Sequence, residues 1–235
     1  MRTALCFQDG NFVGREYFAR LVEAGRAPDL LVAVGRMRPE SIAFEIERTG
    51  GLWNPPAIPP DALSARFESP ADPAFAARLR AQGVDVAIQG GIGILKGEAL
   101  AAPRIGWLNV HPGALPAYRG NACPEWAVLN DDDVVATAHL IDAGIDTGPV
   151  VCAARYPIDS SKSYAAFRAH LYAHCASVLA AALVRLETEG RASAAPQDNL
   201  GASYRPRMDA ATLNLVKARF ASPSKQEREQ TASRF

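Results

Sequence analysis

Three polar residues set among apolar ones have the types and spacing to do chemistry together. Asn109 and His111 stand two apart at the end of the apolar run IGWLNVH (105–111), which Pro112 terminates. Residues two apart on a strand share a face, so a carboxamide donor sits beside an imidazole at the rim of a sheet. Asp146 lies in the loop AGIDTGP, with Gly144 and Gly148 on either side permitting a tight backbone that folds over a neighbour. Together these groups can hold an oxyanion, donate or accept a proton and orient the imidazole. Taken singly each has a plainer reading, His111 as a core histidine satisfied by a carbonyl and Asp146 as an ordinary turn aspartate.

The elements that must position them follow from the pattern. Short apolar runs at 3–7, 29–35, 84–91 and 105–111 alternate with amphipathic ones, which predicts parallel strands linked by helices. The stretch 14–25 places Tyr17, Phe18, Leu21 and Val22 on one helical face and stops at Gly25; 72–83 repeats the logic, with Asp72 as N-cap before Pro73 and Gly83 as the stop. The fold class is α/β, an open, doubly wound, mostly parallel sheet, which binds ligands beyond the carboxyl ends of its strands. Further on, 134–142 and 149–158 are β-rich, and 163–190 is one long helix. Four prolines in 53–62 preclude regular structure there. The expected organisation is a catalytic domain over 1–190, an extension over 191–221 and a polar, disordered tail over 222–235.

Composition excludes several classes of function. The 235 residues are 49% hydrophobic and 21% charged, with 25 cationic and 25 anionic side chains, so no global basic field draws the chain to nucleic acid or an anionic membrane. No stretch approaches the run expected of a membrane span, and the first residues turn polar too soon for a signal peptide. Cys6, Cys123, Cys152 and Cys175 have no metal or disulfide spacing and read as reduced core residues, which with the rest implies a cytoplasmic location. His170 and His174 are four apart on the long helix, but no third ligand is evident and no metal is expected. His139 alternates on a strand and reads as packing or as support for the site. Asp131 to Asp133 read as a solvated turn, and Gly90, Gly91 and Gly93 are no dinucleotide fingerprint.

The run LNVHPGALPAYRG (108–120) resembles the Asn-x-His-Pro-Ser-x-Leu-Pro-x-x-x-Gly signature of the 10-formyltetrahydrofolate-dependent formyltransferases, and HLIDAGIDTGPVV (139–151) resembles their second signature, ending in Asp-x-Gly-Pro. The resemblance implies a Rossmann-like fold and direct attack of an acceptor amine on the formyl carbon. On matching positions, Asn109 would hydrogen-bond the formyl oxygen, His111 would supply charge or a proton, and Asp146 would raise the imidazole pKa and help remove the amine proton. A preorganised donor of this kind is worth roughly 3–4 kcal/mol in the transition state. GGIGIL (90–95) is similar to the family's folate-binding strand end, so main-chain groups of Gly93, Ile94 and Leu95 would read the pterin edge, with Ile141, Asp142, Ala143, Gly144 and Ile145 as the opposing wall. Arg119, Asn121, Glu125 and Trp126 follow the signature loop; the first three are expected to face the acceptor, whereas Trp126 reads equally as core.

Two departures qualify the match. Gly113 stands where these enzymes usually have Ser, and residues 7–18 lack the Gly-x-Gly-Ser-Asn phosphate loop of the glycinamide ribonucleotide enzymes. PQDNLGASYRPRM (196–208) is similar to the stretch that follows the catalytic domain in methionyl-tRNA and amino-sugar formyltransferases, but too little chain follows it for a tRNA-gripping barrel domain. The expected reaction is transfer of a formyl group from the co-substrate 10-formyltetrahydrofolate to a primary amine of a small molecule, with a nucleotide-linked amino sugar as one acceptor. The rivals are hydrolysis of the same donor, whose enzymes usually carry an N-terminal regulatory domain not seen here, and a silent folate-binding regulatory domain. The apolar segment 210–220 can pack against a second copy, which leaves a homodimer open.

Overall fold

Apolar runs with no polar interruption must be covered on both faces, and the first half of the chain uses them as central strands. In the computed structural model, which describes residues 1–222, the order is β1 (Thr3–Asp9), α1 (Phe12–Glu23), β2 (Leu30–Arg36), α2 (Pro39–Thr49), β3 (Ala65–Phe67), α3 (Pro73–Ala81), β4 (Val86–Gly90), α4 (Gly97–Leu100) and β5 (Gly106–His111). Then follow β6 (Arg119–Gly120), α5 (Cys123–Leu129), β7 (Val135–Leu140), β8 (Val150–Arg155), α6 (Tyr164–Glu189), β9 (Tyr204–Arg205) and α7 (Ala210–Lys217). Seven strands form one sheet in the order β3-β2-β1-β4-β5-β7-β8, and β6 pairs separately with β9. The first five run parallel; β7 is antiparallel to both β5 and β8. The order reverses between β1 and β4, which makes the rim beyond those two strands the place for a ligand.

Side chains of α1 and α6 cover one face with Tyr17, Leu21, Leu171, Leu179 and Leu186, and α3 and α4 cover the other with Phe75, Leu79 and Ala99. The α3 helix starts as its sequence predicts: the Asp72 side chain accepts from Ala74 N–H, and Pro73 occupies the first turn. In α1 the side chain of Asn11, not an acidic residue, caps the helix by accepting from Val13 and Gly14 N–H.

Some expectations change. Val22 does not join the buried face of α1; it is exposed, while Tyr17 and Leu21 are buried. The proline-rich stretch 53–62 contains one turn of 3-10 helix at Pro60–Ala62. The preceding residues form α2, which begins with Pro39 and ends at the left-handed Gly50; Ile42 and Ile46 pack near Trp53, and Trp53 stacks on Tyr172 of α6 with centroids 3.7 Å apart. Within residues 164–193 an 18-residue window with mean hydropathy 1.3 is long and apolar enough for a bilayer span by length and composition, contrary to the expectation, but buried side chains of α6 pack in the core instead. Val216 and Phe220, from the segment expected to meet a second copy, pack inside this chain's own core. The polar tail expected over 222–235 lies, beyond Ser222, outside the described residues.

Candidate active site

β5 carries Asn109 and His111 on one face to the rim, and β7 runs antiparallel beside it, so Asn109 pairs with His139 and His111 with Thr137. Thr137, fully buried, holds the loop after β5: its hydroxyl donates to the Gly113 carbonyl at 2.7 Å. The loop between β7 and β8 folds back over this pair and delivers Asp146. Its Oδ2 lies 3.6 Å from His111 Nδ1 and its Oδ1 3.8 Å from His139 Nε2. Gly120 N–H donates to Asp146 Oδ2 at 2.9 Å. One carboxylate thus faces two imidazoles, one of which contacts the carboxamide, Asn109 Nδ2 lying 3.2 Å from His139 Nε2.

Hydrogen-bond partners dictate the tautomers. His111 Nε2 lies 2.8 Å from the Tyr118 carbonyl oxygen, which can only accept, so that nitrogen carries a proton. Nδ1 faces Asp146, and it is there that a second proton is gained or lost. His139 Nδ1 lies 3.2 Å from the Leu140 carbonyl, so its Nε2 is free to accept from Asn109 and thereby turns one amide N–H toward the ring. Burial is the largest influence on His111 and holds it below the ordinary histidine value, although Asp146 pulls the other way. Asp146 does raise this imidazole, as expected, but burial outweighs it. His139 is lowered for the same reason, with Asp146 again opposing. Burial pushes the Cys123 thiol up to about 12, so it stays protonated near Asp146.

The other expected residues divide. Gln89, at the end of β4, accepts from Gly91 and Ile92 N–H at 2.6 and 2.8 Å and donates to the Gly93 carbonyl at 2.7 Å, which shapes the loop 91–95. Ile94 is 68% exposed, Leu95 is buried, and among the described residues no backbone hydrogen bond engages the N–H or C=O of either. Such a strip of free donors and acceptors fits the edge of a pterin. Across the rim, Asp142, Ala143, Gly144 and Ile145 are exposed and Ile141 is partly buried; Asp142 accepts from Gly144 N–H at 3.0 Å. On the acceptor side, Asn121 is exposed, but Arg119 is committed to Gln197 and Asn199 at 2.7 and 2.8 Å. Glu125 faces away from any acceptor: it is 2% exposed, accepts from the Tyr164 hydroxyl at 2.6 Å and lies 3.3 Å from Arg168. Burial alone would raise its carboxyl, but Arg168 holds it below the ordinary value. Trp126 donates to the Pro206 carbonyl at 3.0 Å.

Sequence reasoning gave His139 only a supporting place and passed over Gln89 and Gln197. For His139 the signal was its alternation on a strand, but its partner depends on the β5–β7 register across thirty residues. Gln89 had a better signal, a polar residue ending a buried strand before a glycine-rich loop, the same one that marked Asn109.

Comparison with known proteins agrees with this geometry. Residues 29–183 match the family described as formyl transferase. The methionyl-tRNA formyltransferase of Synechococcus sp. (strain JA-3-3Ab) is 36% identical over 137 residues, 57% of this chain and 42% of that protein. Among solved structures, glycinamide ribonucleotide transformylase 1 from Symbiobacterium toebii superposes with a TM-score of 0.57 at 24% identity, over 81% of this chain and 89% of that one. A formyltransferase from Anoxybacillus kamchatkensis, solved with a UDP-linked formamido sugar and tetrahydrofolate, gives 0.50 at 18% identity, over 75% and 85%. These two likenesses concern the fold. The chain spans about half the length of the curated relatives it matches. The match over 29–183 covers well over half of the 235 residues, and the chain belongs to the formyl transferase family.

Proposed function

We propose that the protein transfers the formyl group of 10-formyltetrahydrofolate to a primary amine of a small molecule. The observation that carries this is the convergence of Asn109, His111 and Asp146 on one rim, with the loop 93–95, whose Ile94 and Leu95 main-chain groups are free, following the neighbouring strand β4. In this reading the amine lone pair forms a bond to the formyl carbon while the carbonyl oxygen takes up negative charge, which Asn109 Nδ2 stabilises. Asp146, with His111 Nδ1 beside it, receives the proton released by the amine. Collapse of the adduct breaks the bond to N10 of the folate, which takes a proton; the products are a formamide and tetrahydrofolate. The pterin edge lies along Gly93, Ile94 and Leu95, with 141–145 opposite. Four free thiols suit a reducing, cytoplasmic setting.

For the acceptor, the balanced charge favours a small amine, a nucleotide-linked amino sugar among them. The names of the curated relatives favour a second reading, in which the amine is that of methionyl-tRNA. One experiment separates these. The protein is given 10-formyltetrahydrofolate with amino-sugar nucleotides, with amino acids, with methionyl-tRNA or with no amine, and release of tetrahydrofolate is followed spectroscopically. Turnover only with a small amine supports the first reading and turnover only with methionyl-tRNA the second. Equal consumption without amine indicates a hydrolase. No consumption in any arm, with folate still bound, indicates a binding domain.

A further inference from the structure

Gln197 follows α6 in the extension, far in sequence from both polar motifs, yet its carboxamide touches both. Its Nε2 donates to the backbone carbonyls of Asp146 at 2.9 Å and Gly148 at 2.7 Å. Its Oε1 accepts from Arg119, from Nη2 at 2.7 Å and from Nε at 3.3 Å. Both N–H groups and both lone pairs of the amide are thereby used. Because Gly120 N–H also donates to Asp146 Oδ2, a closed ring of hydrogen bonds joins the Asp146 carboxylate, residues 119–120, Gln197 and the Asp146 main chain. Pairing of β9 with β6 secures Arg119 and Gly120 from the other side.

The backbone within this ring is under constraint. Asp146 adopts φ 54°, in the left-handed region, which an L-residue holds only where its surroundings over-determine it. Gly148 packs so closely against β7 that a Cβ there would collide with the Leu140 carbonyl. The side chain held in this way faces His111 from β5, His139 from β7 and Cys123 from α5.

We infer that Gln197 is the positioning residue that sets the Asp146 carboxylate against His111, so that the segment after α6 completes a reaction centre otherwise built by the sheet. The inference rests on the reading of Asp146 as a participant in formyl transfer. The alternative is a plain tether, with Gln197 anchoring the extension through Arg119.

Two variants distinguish these roles. Gln197→Ala removes every bond; Gln197→Glu keeps the length and the contact to Arg119 but replaces both donors with an oxygen facing two carbonyls. Gln197 is half-buried, so neither change opens a hole in the core. Positioning predicts that kcat falls by up to about 100-fold in both, with KM for 10-formyltetrahydrofolate changed less than about threefold. It also predicts that the His111 ring protons, followed by NMR, titrate at lower pH in both, because the opposing carboxylate has moved away. In an Asp146→Asn background, adding Gln197→Ala should cost almost nothing further. A tether predicts that Gln197→Glu restores wild-type kcat and leaves the His111 titration unchanged, and either result overturns the inference. If the wild-type protein forms no formylated amine, the functional reading falls, and the His111 titration alone then upholds or overturns the positioning role.

Discussion

At the scale of single residues, Gly113 decides the state of His111. A Cβ at 113 would lie 2.6 Å from His111 Nε2 and 2.6 Å from the Tyr118 carbonyl oxygen, the two atoms that bond to each other. The missing hydroxyl thus matters less than the space it leaves for the ring. Gly113→Ser should destabilise the protein by about 1–3 kcal/mol through overpacking and lower kcat by displacing His111. Chemical denaturation and rate measurements check this; a serine variant as stable and active as the parent would refute it. Protonation gives a second prediction. His111 and His139 are held below the ordinary value chiefly by burial, so their neutral forms favour the folded state. That contribution is complete above the unfolded-state value of about 6.5 and is lost as pH falls below it. Denaturant midpoints should therefore drop between about pH 7 and pH 5, and His111→Asn should flatten the slope. A midpoint that rises on acidification over that interval would contradict the assignment.

At the scale of elements, the loops beyond β1 and β4 meet at the switch point of the sheet. Asn11, which caps α1, packs so closely on Gly91 that any side chain there would collide with it, and Gly91 has φ 91°. Gln89 then ties Gly91, Ile92 and Gly93 into one shape and leaves the main chain of Ile94 and Leu95 free. Gln89→Leu removes three hydrogen bonds of about 1 kcal/mol each from the loop while keeping comparable bulk. Tetrahydrofolate affinity, measured by calorimetry, should fall at least about tenfold, the equivalent of 1.4 kcal/mol, with kcat nearly unchanged. Unchanged affinity would place the pterin elsewhere.

At the scale of the whole molecule, the second half of the chain is held to the first by α6 and by what packs on it. Arg168 links Glu125 of α5 to Tyr172, 2.7 Å away, and Tyr172 in turn stacks on Trp53. Truncating one partner of a buried pair strands the other charge, so Glu125→Ala should cost about 3–5 kcal/mol in urea denaturation. Were Glu125 an acceptor contact on the surface, stability would hardly change. Phe220 stacks on Phe167 with centroids 4.9 Å apart, which closes the extension over the same core. Phe220→Ala should cost about 3 kcal/mol by the same assay. A loss well under about 1 kcal/mol would show that the extension is only loosely attached.

Period-2 and period-3.6 patterns are local, and what they imply was legible in the chain: the alternating strands and helices, Asp72 as a cap, and Asn109 and His111 on one face. The Asp146 loop was legible too, because glycines on either side permit a tight turn there. Only the tertiary structure brought His139 opposite Asn109, since antiparallel register is fixed by a partner strand thirty residues away. It also turned Glu125 inward, because helical phase cannot say which side meets an arginine on α6. It formed α2, whose apolar face has meaning only against Trp53 and α6. And it carried Gln197 to Asp146, since a hydrogen bond across fifty-one positions leaves no trace in the spacing of neighbouring residues.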